Sequence, residues 1–413
     1  MPHQVALTVV APLRAGARPQ LDEALAAAAV PFGQLAGVHF ARMFVLDEGL
    51  AADGSKTSAK LVWMSDVDAP LDRHLGELSQ LAVLDRLFCN CDGYPDAPDA
   101  GARRAFLEAH AVPAATAYVN TVGRGLDQVL LERRLREAIE GHLDAHPELL
   151  NSRDSVAIRE AIRDFVAGDE SLSRALTPAE PTEAGFRRAE KLHMVLVPVL
   201  LVVLLPVILV ALPFYAVALR IHEKRDLPDA RPPDDRHAEQ LAAREDHSIQ
   251  NPFIAAGSIK PGRFRLLTTM GVLWIADYAV RHIFNRADLA GVKTIHFARW
   301  VFLDERRRVV FASSYDGSVE SYMDDFIDKV WWGLNAVFSN GVGYPRTRWL
   351  LFGGARDERA FKRVLRRRQE PVQLFYSAYQ DMTALNLQNN QELRAGLIGT
   401  MTERQATEWL ARL

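Results

Sequence analysis

The alternation of apolar and polar positions divides this chain into three kinds of stretch. The most extreme runs from Met194 to Leu219, MVLVPVLLVVLLPVILVALPFYAVAL, about 26 residues without a charged side chain, where about 20 suffice for a helix to cross a bilayer. Lys191 before it and Arg220, Lys224 and Arg225 after it suit ends that meet headgroups. Pro198, Pro206 and Pro213 interrupt it, and each removes a helix donor and kinks the axis. Pro206 divides the run into halves about 18 Å long if helical. That predicts a re-entrant hairpin in one leaflet, with a kinked single span as the alternative.

The second kind of stretch is short, β-rich and bounded by turn residues. Strands are expected at Gln4 to Leu13, Val38 to Leu46, Ala59 to Val67 and Ala114 to Thr121, and again near Phe253 to Ile259, Thr294 to Leu303, Val309 to Tyr315 and Val372 to Tyr379. The third kind carries helical periodicity: Pro19 to Ala29, Asp68 to Phe88 with Asp68 as N-cap, Leu126 to Gly141, Ser155 to Val166, Phe264 to Phe284 and Ser318 to Ser339. Arg225 to Asn251, with Pro228, Pro232, Pro233 and many charges, reads as a linker. Phe264 to Val280 is apolar enough to be either a core helix or one lying against a bilayer.

Comparison of the chain with itself brings out a duplication. Gly37-Val-His-Phe-Ala-Arg-Met-Phe-Val-Leu-Asp47 reappears as Thr294-Ile-His-Phe-Ala-Arg-Trp-Val-Phe-Leu-Asp304. Asn90-Cys-Asp-Gly-Tyr-Pro95 returns as Asn340-Gly-Val-Gly-Tyr-Pro345, and Pro113 and Tyr118 keep the gap of Pro371 and Tyr376. Each copy has the order β-α-β-β-α-β of a ferredoxin-like split unit. The fold expected is therefore α+β: two tandem ferredoxin-like repeats forming a pseudo-dimeric α+β barrel, plus a hydrophobic membrane segment. The divisions are residues 1–125 (repeat 1), 126–191 (helical connector), 192–222 (membrane segment), 223–251 (polar linker) and 252–413 (repeat 2 with C-terminal helices). If the repeats share one barrel, the apolar run must enter and leave on the same face of a membrane.

In this order of elements the sequence resembles the dimeric α+β-barrel superfamily, which includes antibiotic-biosynthesis monooxygenases, chlorite dismutases and dye-decolorising peroxidases. The resemblance covers roughly residues 1–125 and 252–400. Dye-decolorising peroxidases carry Gly-x-x-Asp-Gly, whose aspartate, with an arginine, assists peroxide cleavage beside haem. Asp316-Gly317 fits this motif, Ser313 stands where its first glycine belongs, and Asp66 is expected as the first-copy counterpart of Asp316. The resemblance implies haem as the cofactor, His296 as its iron ligand and Arg299 with Asp316 as catalytic residues.

The residues themselves leave a second reading open. Alternate strand residues share a face, which puts His296 with Ala298 and Trp300, and Arg299 with Phe297 and Val301. One polar group on an apolar face needs a partner, since an unpaired one costs about 1–3 kcal/mol. His296 is then a hydrogen-bonded structural histidine and Arg299 the partner of a carboxylate, while Asp316 and Gly317 turn a strand into a helix. Trp331 and Trp332 either line a cavity or pack a core, and Asn90 to Pro95 and Asn340 to Pro345 are helix stops. The basic run from Lys362 to Arg368 is a solvated face or a headgroup contact.

Composition narrows the classes. With 49% hydrophobic and 24% charged residues over 413 positions, folded cores are expected rather than disorder. Forty-nine Lys+Arg against 52 Asp+Glu leave a net charge of −3, which gives no footprint for nucleic acid. Two cysteines, Cys89 and Cys91, make neither a disulfide framework nor a zinc site. The opening MPHQVALTVVAPLRAG lacks the pattern of a secretion signal, so the soluble repeats are expected in the cytoplasm, membrane-attached. The expected partners are membrane lipids and a lipophilic small molecule. Three functions are left open: a membrane-associated, peroxidase-like oxidoreductase acting on a lipophilic substrate, a non-catalytic membrane-bound binding or scaffolding protein, or a cofactor-free monooxygenase of the small-barrel type.

Overall fold

The computed structural model describes residues 2–229 and 231–413. In chain order the main elements are β1 (Gln4–Pro12), α1 (Arg18–Ala26), β2 (Val38–Leu46), β3 (Lys60–Asp68), α2 (Leu71–Ser79), α3 (Ala100–Ala109), β4 (Ala114–Val119), α4 (Leu126–Ala145), α5 (Ser155–Gly168) and α6 (Ala184–Arg225). They continue with α7 (Asp235–Ala242), β5 (Gln250–Ser258), α8 (Arg263–His282), β6 (Ile295–Leu303), β7 (Arg308–Asp316), α9 (Val319–Phe338), α10 (Glu358–Arg368), β8 (Val372–Ser377), α11 (Ala384–Gly396) and α12 (Glu403–Leu410).

The strands form two four-stranded antiparallel sheets, in the orders β1-β3-β2-β8 and β4-β6-β7-β5. Each sheet thus takes one strand from the other half of the chain. β4 begins against β1, with Val10 N–H donating to His110 O and Val112 N–H to Thr8 O, and then crosses to β6, pairing Tyr118 with Ala298. β8 begins against β5, through Glu370 N–H to Ile254 O, and crosses to β2, pairing Tyr376 with Ala41.

The inner faces of the two sheets meet over Val10, Phe44, Met64, Ile254, Val301 and Val310. Helices cover the outer faces, so β2 and β3 are buried at every position. That is why their sequences read as near-continuous apolar runs rather than as an alternation. α4 and α5 pack with α11 and α12 around Leu135, Ile139, Ile162, Leu393 and Trp409, so the connector and the C-terminal helices share one core.

α6 is one continuous helix of 42 residues with Pro198, Pro206 and Pro213 inside it, not a hairpin divided at Pro206. Its ends are held by α8 and by the chain that follows. Glu190 pairs with Arg281 at 2.5 Å, His193 Nδ1 lies 2.7 Å from His282 Nε2, and Tyr278 Oη donates to Met194 O. At the far end of the helix the His222 ring stacks on Phe264, and Glu223 accepts from the backbone N–H groups of Trp349 and Leu350. Between His193 and His222 α6 advances about 43 Å, whereas α8 advances only about 27 Å between His282 and Phe264. The longer helix therefore bows off the shorter one, and its three prolines lie in the bow. Every residue from Pro198 to Phe214 is exposed.

Two expected element boundaries move. The helix expected from Asp68 to Phe88 starts after Pro70 and breaks at Gln80, because Asp68 completes β3 and its carboxylate is occupied elsewhere. The linker contains α7, whose N-cap is Asp234, and Asp226 and Asp229 in it pair with Lys260, Arg265 and Arg367.

Candidate functional site

The repeated histidines occupy β-bulges. In β2 the pairing with β3 shifts between Val38 and Phe40, and in β6 the pairing with β7 shifts between Ile295 and Phe297. A bulge puts two residues opposite one and re-aims the extra side chain. His39 and His296 therefore turn between the sheets, alongside Phe40 and Phe297, rather than outward with Ala298 and Trp300. This overturns the face assignment made from simple alternation. The His39 ring lies 5.5 Å from Phe297, and the His296 ring 5.2 Å from Phe40.

Each histidine meets an aspartate at the end of the next strand. His39 Nε2 lies 3.1 Å from Asp68 Oδ1, and His296 Nε2 lies 2.7 Å from Asp316 Oδ1. The other oxygen of each carboxylate accepts the N–H that opens a helix: Leu126 N–H of α4 to Asp68 Oδ2 at 2.8 Å, and Ala384 N–H of α11 to Asp316 Oδ2 at 2.7 Å. Negative charge at a helix N-terminus satisfies donors that lack intrahelical partners and interacts well with the helix dipole. Burial opposes the charged form of Asp68, but the bonds from His39, Leu126 N–H and Gln4 outweigh it and hold its pKa below the usual range. Gly37 stands at φ +70° against this carboxylate, where a Cβ would come within 2.8 Å of Asp68 Cβ. The first-copy counterpart of Asp316 is accordingly Asp68. Asp66 instead stands at the position of Ser314, a correction that follows from the pairing of β1 and β5 with β3 and β7.

The two pairs differ at their outer nitrogens. His39 Nδ1 lies 3.1 Å from Tyr379 Oη, which makes a buried Tyr379–His39–Asp68 chain. Burial raises the Tyr379 hydroxyl well above its ordinary pKa, so it remains a donor. His296 Nδ1 is buried without a partner among the described residues. Gln4 donates to Asp68, and Gln250, at the same place in β5, donates to Tyr379 O at 3.1 Å.

One layer deeper lie the arginines. Arg299 donates to Leu7 O at 2.7 Å, to Ser65 O at 2.9 Å and to the Asp66 carboxylate. Arg42 crosses the other way, to Ser313 O at 2.6 Å, to Ser314 Oγ and to Asp66 Oδ2 at 3.4 Å. Burial lowers the Arg42 pKa to about 10 against the pull of Asp66, and the Arg299 charge adds to the lowering. Arg299 and Asp316, paired as catalytic residues by the peroxidase resemblance, thus belong to separate networks. Neither holds the other or a common opening.

The cavity lined by His39, Arg124, His296, Phe297 and Tyr379 is about 20 Å³, room for roughly one water molecule. Haem does not fit there, and the Nε2 of His296 is already on Asp316. Among the described residues no group of three or more His, Cys, Asp and Glu side chains is placed to hold a metal ion. What this constellation does is lock: it ties four strands and the starts of α4 and α11 into one interior.

The remaining candidates lie elsewhere. Trp331 is half-buried against the core under Arg356, whose guanidinium lies 4.1 Å from its ring, while Trp332 is 41% exposed. Of the basic run, Lys362 pairs with Asp324, Arg366 with Glu245 and Arg367 with Asp229, which leaves it little charge for lipid headgroups. Asn90 and Asn340 do stop helices, and their carbonyls accept from Arg14 N–H and Lys260 N–H. Sequence reasoning missed Gln4, Gln250 and Tyr379 and gave Asp68 another role, while Arg42 lay in the repeated motif it singled out. Gln4, Gln250 and Asp68 recur at matched strand positions, a signal the chain did carry; Tyr379 has no equivalent and gave none.

No protein-family model, no curated protein and no solved structure matches this chain.

Proposed function

We propose that this chain is a monotopic membrane-bound protein that binds or scaffolds at a lipid surface without redox chemistry in its interior. Its body is a tandem duplication of a ferredoxin-like unit, whose halves exchange their last strands to close one barrel. The matched His–Asp–helix clasps, the matched glutamines and the two crossing strands support this reading of the fold, which is that of the dimeric α+β barrels. The packed interior, with its 20 Å³ cavity, argues for a rigid body over the haem-dependent oxidoreductase.

One observation carries the membrane topology. β8 lies after α6 in the chain and bonds to β2 before it, while β4 lies before α6 and bonds to β6 after it. Strands joined in this way occupy one side of any bilayer. α6 is apolar and long enough to cross a membrane, but both of its flanks belong to one body. It therefore enters and leaves the same leaflet as a bowed helix. Arg187, Arg188 and Lys191 at one foot and Lys224 and Arg225 at the other, none in an ion pair among the described residues, suit anionic headgroups, each contributing about 1 kcal/mol near such a surface.

The test is side-specific labelling in sealed vesicles. In a Cys89→Ser background, Ser152→Cys precedes α6 and Arg404→Cys follows it, and both positions are exposed. A membrane-impermeant maleimide is expected to reach both from the same side. Labelling from opposite sides would overturn the proposal.

A further inference from the structure

Where β4 leaves β1 to join β6, the two strands part. The opening between the first residues of β1 and the last of β4 is a cleft of about 520 Å³, within the size range of small-molecule sites. Its other walls are the first foot of α6 and the end of α8. Its lining combines apolar side chains, Val5, Val119, Val122, Val280 and Met194, with a polar set of Glu190, Lys191, Asp277, Arg281 and His282.

The charges in the polar set are unequal. Arg281 is neutralised by Glu190 at 2.5 Å and Asp277 at 3.2 Å, and His282 is engaged with His193. Among the described residues Lys191 makes no ion pair. His3, which stacks on Phe186 at 4.0 Å, has a buried Nδ1 with no partner. Glu190 and Asp277 outnumber Arg281 by one charge, so recognition rests on Lys191 itself, an ammonium outside any ion pair that lies with the apolar lining and fits the anionic head of a ligand with a hydrocarbon tail. Met194, in the wall, is also the first residue of the apolar run. A tail can therefore pass from the lipid around α6 into the cleft without crossing water.

We propose that this cleft is a binding site for a long-chain amphiphile with a carboxylate or phosphate head, with Lys191 meeting the head and Val119, Val122 and Val280 the tail. The proposal rests on the membrane attachment argued above, and it concerns a site outside the packed interior. It gives the strand exchange a use, because a strand that stayed with β1 would fill this gap.

The experiment is a titration of the full-length protein in non-ionic detergent micelles with a fluorescent long-chain fatty acid, its methyl ester and inorganic phosphate. The acid is expected to bind at least about tenfold more tightly than the ester, a difference of about 1.4 kcal/mol. Lys191→Glu is expected to remove that preference, and Val122→Trp, at an exposed position, to weaken the acid by about tenfold while leaving the far-ultraviolet circular dichroism unchanged. Equal binding of acid and ester, indifference to both substitutions, or displacement of the acid by millimolar phosphate alone would overturn the proposal. Flotation with liposomes, run in parallel, separates the two readings. Protein that floats without binding the acid loses the cleft and keeps the membrane, and protein that binds the acid without floating does the reverse.

Discussion

Arg42 and Arg299 converge on the single carboxylate of Asp66 from facing sheets. Each is 2% exposed, so two guanidinium charges share one counter-charge in the interior. Strand carbonyls and a hydroxyl take other donors, Leu7 O and Ser65 O from Arg299 and Ser313 O and Ser314 Oγ from Arg42, while Arg42 Nε is buried with no partner among the described residues. Such an arrangement joins the halves only while its one anion remains.

Asp66→Asn should therefore be among the most damaging single changes in the chain. Removing one partner of a buried ion pair costs roughly 3–5 kcal/mol, because the stranded charge remains desolvated. Urea unfolding of the variant is expected to show a loss of that size. A change below about 1 kcal/mol would mean the arginines are held by the carbonyls alone.

Asp68→Ala and Asp316→Ala should cost similar amounts, about 2–4 kcal/mol each, since each loses a buried histidine partner and the N–H of a helix start. Their local effects should differ. Hydrogen exchange is expected to speed first at the beginning of α4 in the Asp68 variant, and at the beginning of α11 in the Asp316 variant. Identical exchange patterns would refute the separate anchoring of these helices.

His74 sets an acid limit on stability. It is buried with Nε2 at 2.9 Å from Ser65 Oγ, and burial, helped by the Arg73 charge, lowers its pKa to about 4. The unfolded chain takes up the proton near pH 6.5. Stability is then complete above pH 6.5 and declines as the pH falls toward 4, by on the order of 3 kcal/mol. A His74→Gln variant should show a flatter pH dependence of the melting temperature over this interval.

Glu370 works in the opposite sense. Burial raises its pKa to about 7, despite the nearby Arg308 and Arg368 charges. A carboxyl raised in the folded state contributes fully below the unfolded value near pH 4.3 and loses that contribution as the pH rises through 7. Glu370→Gln should accordingly raise the melting temperature at pH 8 and leave it nearly unchanged at pH 4. An equal shift at both values would place the carboxyl in water.

Much of the frame was legible in the residues. The eight strands fall close to the expected spans, α8 and α9 begin within a residue or two of expectation, and Ser318 caps α9 by accepting from Ser321 N–H. The repeated His-Phe-Ala-Arg did mark the two places where the interior is tied together. Its chemistry was misread in one respect. Strict alternation puts His296 on the outer face, but the bulge at Ile295 and Phe297 turns it inward, and a bulge arises from pairing with a neighbouring strand rather than from the strand's own residues. The same cause displaced Asp68. As the end of a polar-apolar run it looks like a helix cap, and only the proximity of His39 and Leu126 makes it a strand-end clasp.

The length and greasiness of α6, the order of strands and helices, and the recurrence of the same landmarks are local properties, fixed by which side chains follow one another. The sequence determined these by itself, since period and composition need no partner. The tertiary structure alone decided that β4 and β8 cross to the opposite sheet, that three prolines bend α6 without breaking it, and that Arg42 and Arg299 share Asp66. A strand presents the same donors and acceptors whichever edge receives it, and a buried charge is settled only by what lies across the interior from it. Both are choices between distant parts of the chain, made when the two halves close on each other.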